Sequence, residues 1–150
     1  MSQDRNQIHR RHSARRLAMQ AIYSWQLAQT PIVDLLSDFR SDIDFPKADE
    51  TYFDELVSAV VGKTSELDSL IEPHLDRSAD SVDPVELAIL RLATYELKNR
   101  MDIPYRVVLD EAIGLAKKFG GTDGHKFING VLDKLTGGLR SLEKAADSSR

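Results

Sequence analysis

The sequence predicts an all-α protein, a bundle of about seven helices. Apolar residues recur at spacings of three and four along nearly the whole chain, which is the period of an amphipathic helix. The alternation of apolar and polar residues that marks strands is absent from the sequence. Short turn-rich segments separate the helical stretches, as in helical bundles. With 150 residues, 41% of them hydrophobic, the chain can bury the core of one domain or of two small ones.

The first predicted helix begins after Ser13, which has the residue type of an N-cap, and ends before Pro31. One face of this helix is apolar and consists of Ala14, Leu17, Ala18, Ala21, Trp25 and Ala28. Pro31 then opens a short second helix over residues 32–40. Three apolar residues of this second helix are expected to point inward, namely Val33, Leu36 and Phe39.

A third helix follows a loop over residues 41–50, and either Asp49 or Thr51 can cap it. Its apolar face consists of Tyr52, Phe53, Leu56, Val57, Val60 and Val61, and the pattern continues after Gly62 as far as Leu75. The next segment, DRSADSVDP, is polar and rich in turn-forming residues. We therefore predict the boundary between two halves of the chain at residues 76–84.

Asp83 followed by Pro84 is a strong helix start, an N-cap residue with proline at the first helical position. The helix that it opens, residues 85–99, is apolar on nearly every side, which predicts a place at the centre of the core. Pro104 opens the next helix, which ends at the glycine pair 120–121.

The last helix is expected to be capped by Thr122 or Asp123. The sequence after residue 140 resembles a frayed end. We therefore expect a flexible arginine-rich arm over residues 1–12, a single all-α domain over residues 13–142 and a frayed tail over residues 143–150.

Charge is distributed unevenly along this chain, whose formal net charge is −4. Residues 1–16 carry five arginines and one aspartate, a net of +4, and residues 84–150 carry eleven basic and nine acidic residues, a net of +2. Residues 17–83 carry four basic and fourteen acidic residues, a net of −10. Five arginines together in an otherwise acidic chain indicate a local anionic target, with RNA first among them, while a solvated basic tail is the alternative.

The first helix places Arg16, Gln20 and Tyr23 on one line, opposite much of its apolar face. A guanidinium, an amide and an aromatic ring suit single-stranded RNA, because they bind phosphates, base edges and base faces respectively. An ordinary polar helix face with a half-buried tyrosine is the alternative interpretation.

The turn KKFGGTDGHKF is a second candidate for anion binding. Basic residues surround its glycines, namely Lys117, Lys118, His125 and Lys126. The free N–H groups at the start of the last helix add to such a site. Asp123 has the opposite charge and is expected to act as a helix cap or as an acceptor for a base edge. Glycine pairs occur in many helical bundles, so this turn is informative only together with the first helix.

The sequence lacks the features of several functional classes. Cysteine is absent, which excludes disulfides, thiolate zinc sites and a cysteine nucleophile. No apolar run approaches the ~18 residues of a membrane span, and no signal peptide is present, so we expect a cytoplasmic protein. No phosphate-binding, dinucleotide-binding or nucleophile-elbow motif occurs. His9 and His12 would supply only two ligands, and they lie on a segment expected to be flexible, so we do not expect them to hold a metal ion. We predict no catalysis, no metal and no cofactor.

Two stretches of the chain closely resemble the NusB family of bacterial transcription antitermination factors. They are RRHSARRLAMQAIYSWQLAQTPI and VELAILRLATYELKNRMDIPYRVVLDEAIGLAKKFGGTDGHKFINGVLDKL, which together cover about half of the chain. The resemblance implies two three-helix bundles and no enzymatic activity. It also implies binding to the boxA element of ribosomal RNA leaders together with the small-subunit ribosomal protein NusE, in a complex that joins elongating RNA polymerase.

The resemblance further implies roles for particular residues. Phosphate contacts are expected from Arg10, Arg11 and Arg15. Further RNA contacts are expected from Gln20, Tyr23, Phe119, Asp123, Lys126 and Phe127. Glu86 is expected to face NusE. The chain departs from the family at His12 and Ser13, where further basic residues are common, and Arg16 compensates for that loss of charge.

Two alternatives stay open at this point. The first is a stand-alone relative of the RNA-binding domain of the ribosomal RNA cytosine-5 methyltransferases, although the cysteine nucleophile and the cofactor domain of those enzymes are absent from this chain. The second is a helical scaffold whose acidic middle binds a basic protein. Phosphate contacts predict that RNA binding depends steeply on salt, which a scaffold for proteins alone does not predict.

Overall fold

The protein is all-α, as the sequence predicts. A computed structural model describes residues 2–148, and this part of the chain contains eight α-helices and no strand. The helices are α1 (Ser2–Ala28), α2 (Ile32–Arg40), α3 (Glu50–Gly62), α4 (Thr64–Ile71), α5 (Pro84–Asn99), α6 (Tyr105–Phe119), α7 (Gly124–Leu139) and α8 (Ser141–Ser148). Short 3₁₀ turns lie at Phe45–Lys47, Glu72–His74 and Ala79–Ser81.

The chain divides into two compact units between Lys63 and Thr64. The predicted boundary at residues 76–84 is therefore wrong. That segment lies inside the second unit, because Val82 is buried and Asp83 caps α5 by accepting the N–H groups of Val85 and Glu86 at 2.9 and 3.2 Å. The prediction failed because a polar composition indicates only that a segment lies at the surface. Surface loops occur within a compact unit as well as between two units.

In the first unit, α1, α2 and α3 form a three-helix bundle in which α1 packs mainly along α3. The core of this unit is built on fully buried residues such as Leu17 and Ile22 of α1 and Phe53 and Leu56 of α3. The ring of Phe45 meets that of Phe53 edge-on, with the ring centroids 5.3 Å apart. Edge-to-face contact of this kind is a favourable aromatic geometry.

The start of α1 was predicted incorrectly. Ser13 lies inside the helix, which begins at Ser2 and contains neither glycine nor proline. The N–H group of Asp49 donates to the carbonyl of Arg10 at 3.0 Å, which ties this part of α1 to the start of α3. Residues 2–12 therefore continue the helix, while the flexibility expected of an arm stays a prediction, and residue 1 lies outside the described residues.

The inward face of α2 also differs from the prediction. Val33 is 75% exposed, whereas Leu35 is buried and Leu36 and Phe39 are half-buried. The inward residues follow the spacing Ile32, Leu35, Leu36, Phe39, which is one helix face, and Val33 lies off that face. On α1, Trp25 is only half-buried and Ala28 is exposed, because they lie near the end of the helix.

In the second unit, α5, α6 and α7 pack on one another as a second three-helix bundle, with α4 and α8 beside them. The central position predicted for α5 is correct, because nine of its residues are buried. Arg91 of α5 binds Asp68 of α4 through two parallel hydrogen bonds of 2.9 and 2.8 Å. Bidentate pairs of this kind fix orientation as well as adding energy.

A buried arginine closes one end of this second bundle. Arg140, only 1% exposed, follows α7 and donates hydrogen bonds to the carbonyls of Glu96, Leu97, Arg100 and Ile103 at 2.7–3.2 Å. Glu143 accepts from Arg140 at 2.6 Å and from the N–H group of Tyr105 at 2.9 Å. The last carbonyls of a helix have no partner within the helix, so this one guanidinium satisfies the end of α5.

The segment after residue 140 forms α8, whereas the sequence predicted a frayed end. Glu143 belongs to the Arg140 cluster, Lys144 binds Asp133 of α7 at 2.9 Å, and Asp147 accepts from Arg106 of α6 at 2.8 Å. These contacts explain why the segment is ordered as far as Ser148. The last two residues of the predicted tail, 149 and 150, lie outside the described residues.

Replacement of Arg140 by methionine is expected to destabilise the protein by about 3–5 kcal/mol, because it leaves backbone carbonyls and the Glu143 carboxylate without their partner. Urea denaturation measures this loss. Arg106→Met is the matched control, since the side chain of Arg106 is 70% exposed and its ion pair with Asp147 lies at the surface. The control is expected to cost at most about 1 kcal/mol. Equal losses in the two variants would contradict the role given to Arg140.

Candidate nucleic-acid interface

Two arginines of the basic segment hold α1 against α3. The guanidinium carbons of Arg11 and Arg15 lie 4.8 and 5.5 Å from the centroid of the Tyr52 ring, and Tyr52 is itself buried. Arg15 is only 3% exposed. Arg11 is half-buried, with its Nε 3.9 Å from the carboxylate of Asp49. Cations over a desolvated ring contribute about 0.5–2 kcal/mol each.

This packing corrects the expectation that Arg15 reaches phosphates from an exposed arm. A phosphate contact needs access to solvent, and the Arg15 side chain is enclosed beside Tyr52. The sequence could not show this, because Tyr52 is 37 positions away and the partner of a cation is not encoded in its own segment. Arg5 is exposed and Arg10 is half-buried, so neither of these two arginines is enclosed as Arg15 is.

The predicted line on α1 is present in the structure. Arg16, Gln20 and Tyr23 are all half-buried, and Arg16 donates to the side-chain oxygen of Gln20 at 3.4 Å. Arg16 also donates to the carboxylate of Asp44 at 3.3 Å, which lowers the charge available to an anion. The amide of Gln20 and the ring of Tyr23 therefore supply the polar and aromatic groups of this line, with Arg16 held in place beside them.

The turn between α6 and α7 presents Asp123 in an unusual backbone conformation. Asp123 has φ 63° and ψ 8°, the left-handed region that non-glycine residues seldom adopt. It occupies the N-cap position of α7, but its side chain accepts no capping hydrogen bond, so the predicted cap is not formed. Its carboxylate instead lies 3.3 Å from the ammonium group of Lys126. Asp123 is exposed, so its carboxylate is accessible to a ligand.

Gly124 lets this turn approach α5 closely. A Cβ at this position would lie 2.9 Å from the Oε2 atom of Glu86, which is closer than real Cβ contacts allow. The backbone N–H of Gly121 donates to the same carboxylate. Glu86, which the resemblance assigns to the partner, therefore also supports the turn that carries Asp123, and its role toward a partner stays a prediction.

Phe127 lies under an arginine that sequence reasoning did not single out. The guanidinium of Arg77 lies 4.6 Å from the centroid of the Phe127 ring, and Asp76 holds Arg77 through hydrogen bonds of 2.7 and 3.2 Å. Arg77 belongs to a polar turn with no motif, so only the fold reveals this contact. Phe127 is half-buried. One part of the Phe127 side chain is therefore buried in the protein, and another part is accessible to a ligand.

A cleft of about 500 Å³ opens beside Phe127. Three carboxylates and one guanidinium line it, those of Asp83, Glu86, Asp123 and Arg77. Clefts of about 300–1,000 Å³ are the usual size of small-ligand sites. Because the charged lining of this cleft is mainly acidic, the cleft suits the hydrogen-bond donors of a base edge or of a cationic side chain. Phe119, the remaining predicted contact, is half-buried, with the ammonium group of Lys118 at 5.5 Å from its ring centroid.

The candidate residues thus form two groups, one in each unit. Arg10, Arg16, Gln20 and Tyr23 belong to the first unit, and Phe119, Asp123, Lys126 and Phe127 belong to the second. Across residues 2–148, no group of three His, Asp or Glu side chains is placed to hold a metal ion. No helix in this part of the chain is long and apolar enough to cross a membrane.

Comparison with known proteins gives consistent matches over most of the chain. A sequence model described as the NusB family matches residues 12–137. The transcription antitermination protein NusB of Marinobacter nauticus is 53% identical over 133 residues, which cover 89% of this chain and 84% of that protein. The structure of T. maritima NusB is similar with a TM-score of 0.75 at 27% identity, covering 85% of this chain and 90% of the other. A structure described as antitermination factors NusB and NusE in complex with dsRNA has a TM-score of 0.72 at 29% identity, covering 83% of this chain and 93% of the other.

The raised pKa of Glu86 predicts how the stability of the protein depends on pH. Burial raises this pKa above the ordinary 4.5, and the nearby charge of Asp83 raises it further. The folded protein therefore keeps the Glu86 proton at pH values where the unfolded chain has lost it, so ionisation of Glu86 costs stability as the pH rises above 4.5. We expect Glu86→Gln to gain free energy of unfolding relative to the native sequence between pH 4 and pH 7. Urea denaturation of both proteins at the two pH values measures the difference, and a constant difference would refute the assignment.

Proposed function

The chain belongs to the NusB family, and we propose that it is a transcription antitermination factor that binds boxA RNA together with the ribosomal protein NusE. The observation that carries this proposal is the match over residues 12–137, with relatives of about the same length that are named transcription antitermination protein NusB. The pair is proposed to join elongating RNA polymerase in the cytoplasm and to promote transcription of ribosomal RNA operons. The protein acts by binding and carries out no catalysis.

The RNA contacts are proposed to come from both units. Arg10 supplies a phosphate contact from α1, and Gln20 and Tyr23 supply base contacts further along the same helix. Asp123 supplies a polar contact from the turn before α7 and Lys126 supplies one from the first turn of α7, which is supported by their exposure. Arg16 is a further proposed contact of the first unit, and Phe119 and Phe127 are further proposed contacts of the second unit. Arg11 and Arg15 act on RNA only indirectly, by holding α1 against Tyr52.

The proposed RNA is single-stranded at these contacts. Tyr23 and Phe127 are half-exposed aromatic side chains, and unpaired bases stack on such rings. Bases within a duplex are already stacked on one another and do not reach a side chain in this way. A solved neighbour described as NusB and NusE is in complex with dsRNA, so the comparison of single-stranded with duplex boxA belongs in the test.

A basic protein partner is supported by charge. Residues 17–83 carry a net charge of −10, which repels RNA and attracts a cationic protein. Complementary charge of this kind raises the association rate and sets orientation more than it adds affinity. Glu86 is the residue proposed to contact NusE. Its half-buried carboxylate, next to the turn with Asp123, supports a link between partner binding and RNA binding.

The function is tested by measuring the affinity for single-stranded boxA RNA with and without purified NusE. We expect NusE to tighten RNA binding, and RNA to tighten NusE binding by the same factor, because coupling between two ligands is reciprocal. A scrambled RNA and a boxA duplex are the controls. Equal RNA affinity in both conditions would leave an autonomous RNA-binding domain. Binding to NusE without any binding to RNA would leave a protein scaffold.

Salt dependence tests the phosphate contact at Arg10. We expect Arg10→Gln to weaken boxA binding and to reduce the slope of log affinity against log salt by roughly 0.7, the value for one phosphate contact on a single strand. Arg40→Gln is the matched control, because Arg40 is an exposed arginine of the same unit that pairs with Asp54 at 2.9 Å. Fluorescence anisotropy at several salt concentrations gives both slopes. An unchanged slope for Arg10→Gln would exclude the contact.

A further inference from the structure

Phe127 also lines a groove on α7 that is distinct from the acidic cleft. This groove has a volume of about 200 Å³, and its lining includes His74, Asp76, Lys126, Phe127, Gly130 and Lys134. Arg77, Asp83, Glu86 and Asp123 line the other cleft and are not part of this groove. Phe127 therefore belongs to two depressions of different character, one lined mainly by carboxylates and one mainly by basic side chains.

The geometry of α7 explains the basic groove. Lys126, Gly130 and Lys134 follow one another at intervals of four residues, so they lie along one line of the helix. Gly130 has no side chain, and a Cβ built there would meet nothing within 4 Å, so the floor between the two lysines is open. Both lysines are exposed. His74, at the end of the 3₁₀ turn Glu72–His74, forms the opposite wall.

The one carboxylate in the groove is already engaged. Asp76 accepts two hydrogen bonds from Arg77, and these hydrogen bonds are the largest cause of the lowered pKa of Asp76. The positive charge of Lys134 contributes to the same shift, which places Lys134 near this carboxylate. Arg77 largely neutralises Asp76. Asp123, which lies outside the groove, is 3.3 Å from Lys126, whereas Lys134 has no ion pair of this kind within residues 2–148, so the basic side chains of the groove still favour an anion.

We propose that this groove binds a backbone phosphate of the single-stranded RNA, with Lys126 and Lys134 as its cations and His74 as a hydrogen-bond donor. The proposal rests on the proposed function and extends it to two residues that the sequence did not indicate, His74 and Lys134. The base of that nucleotide contacts Phe127 and faces the acidic cleft, where Asp123 accepts hydrogen bonds from its edge. The carboxylates of the cleft repel a phosphate, and the lysines of the groove attract it. The nucleotide is therefore oriented with its phosphate in the groove and its base at Phe127.

The test uses the full chain and a single-stranded boxA oligonucleotide without NusE. Lys134→Gln is expected to reduce the log–log salt slope by roughly 0.7, which corresponds to about fivefold weaker binding at 0.1 M salt and no difference near 1 M. Lys134→Arg keeps the charge and is expected to bind as the native sequence does. Lys63→Gln removes the same charge at the exposed end of α3 and is the matched control. The three variants are compared with the native sequence only if their melting temperatures are unchanged.

Gly130→Asp is a second, independent variant. It introduces a carboxylate into the open floor between the two lysines, and the absence of neighbours within 4 Å allows the fold to accept it. We expect a larger loss of RNA affinity than for Lys134→Gln, because the new charge both pairs with the lysines and repels the phosphate. Gly138→Asp, at another open glycine of α7, is the control.

Phe127→Ala separates this proposal from the proposed function. If Phe127→Ala weakens RNA binding while Lys134→Gln and Gly130→Asp bind normally, the groove proposal is overturned and the RNA-binding function stands. If the native sequence does not bind boxA RNA, the proposed function itself fails. If the groove variants leave RNA binding unchanged but weaken binding to NusE, the groove serves an acidic protein segment and the phosphate assignment is wrong.

Discussion

The second unit depends on one buried guanidinium. Arg140 satisfies four backbone carbonyls at and beyond the end of α5, and through Glu143 it also engages the first N–H group of α6. A buried charge is tolerated only when it is fully hydrogen-bonded, so the position of Arg140 fixes where α5, α6 and α7 meet. The turn between α6 and α7, which carries Asp123, lies at the far end of these helices and is positioned by the same packing.

The arginines of α1 perform two different tasks. Arg11 and Arg15 lie over the ring of Tyr52 and hold α1 to α3, whereas Arg10 is half-buried and Arg16 is held by Asp44. A net charge of +4 in residues 1–16 therefore does not give four phosphate contacts. Part of that charge serves the fold, and the proposed interface depends on the smaller part that faces solvent.

Phe127 is the residue on which the two depressions of the second unit meet. Carboxylates line one depression, and two lysines and a histidine line the other. Nucleotides have an anionic phosphate and a base edge with hydrogen-bond donors, so opposite charges on the two sides favour one orientation of the strand. Gly124 approaches Glu86 closely, directly after Asp123 with its left-handed conformation.

The sequence by itself determined the fold class and the starts of four helices, because these depend on local chemistry. Pro31, Asp49, Asp83 with Pro84, and Pro104 each lie at the helix starts that they predict. The family resemblance also identified the candidate surface. Only the tertiary structure decided that Arg15 is buried, that Arg77 covers Phe127 and that Lys134 shares a groove with His74. These facts depend on contacts between residues far apart in the chain, and the periodicity of a segment carries no information about which distant side chain it meets.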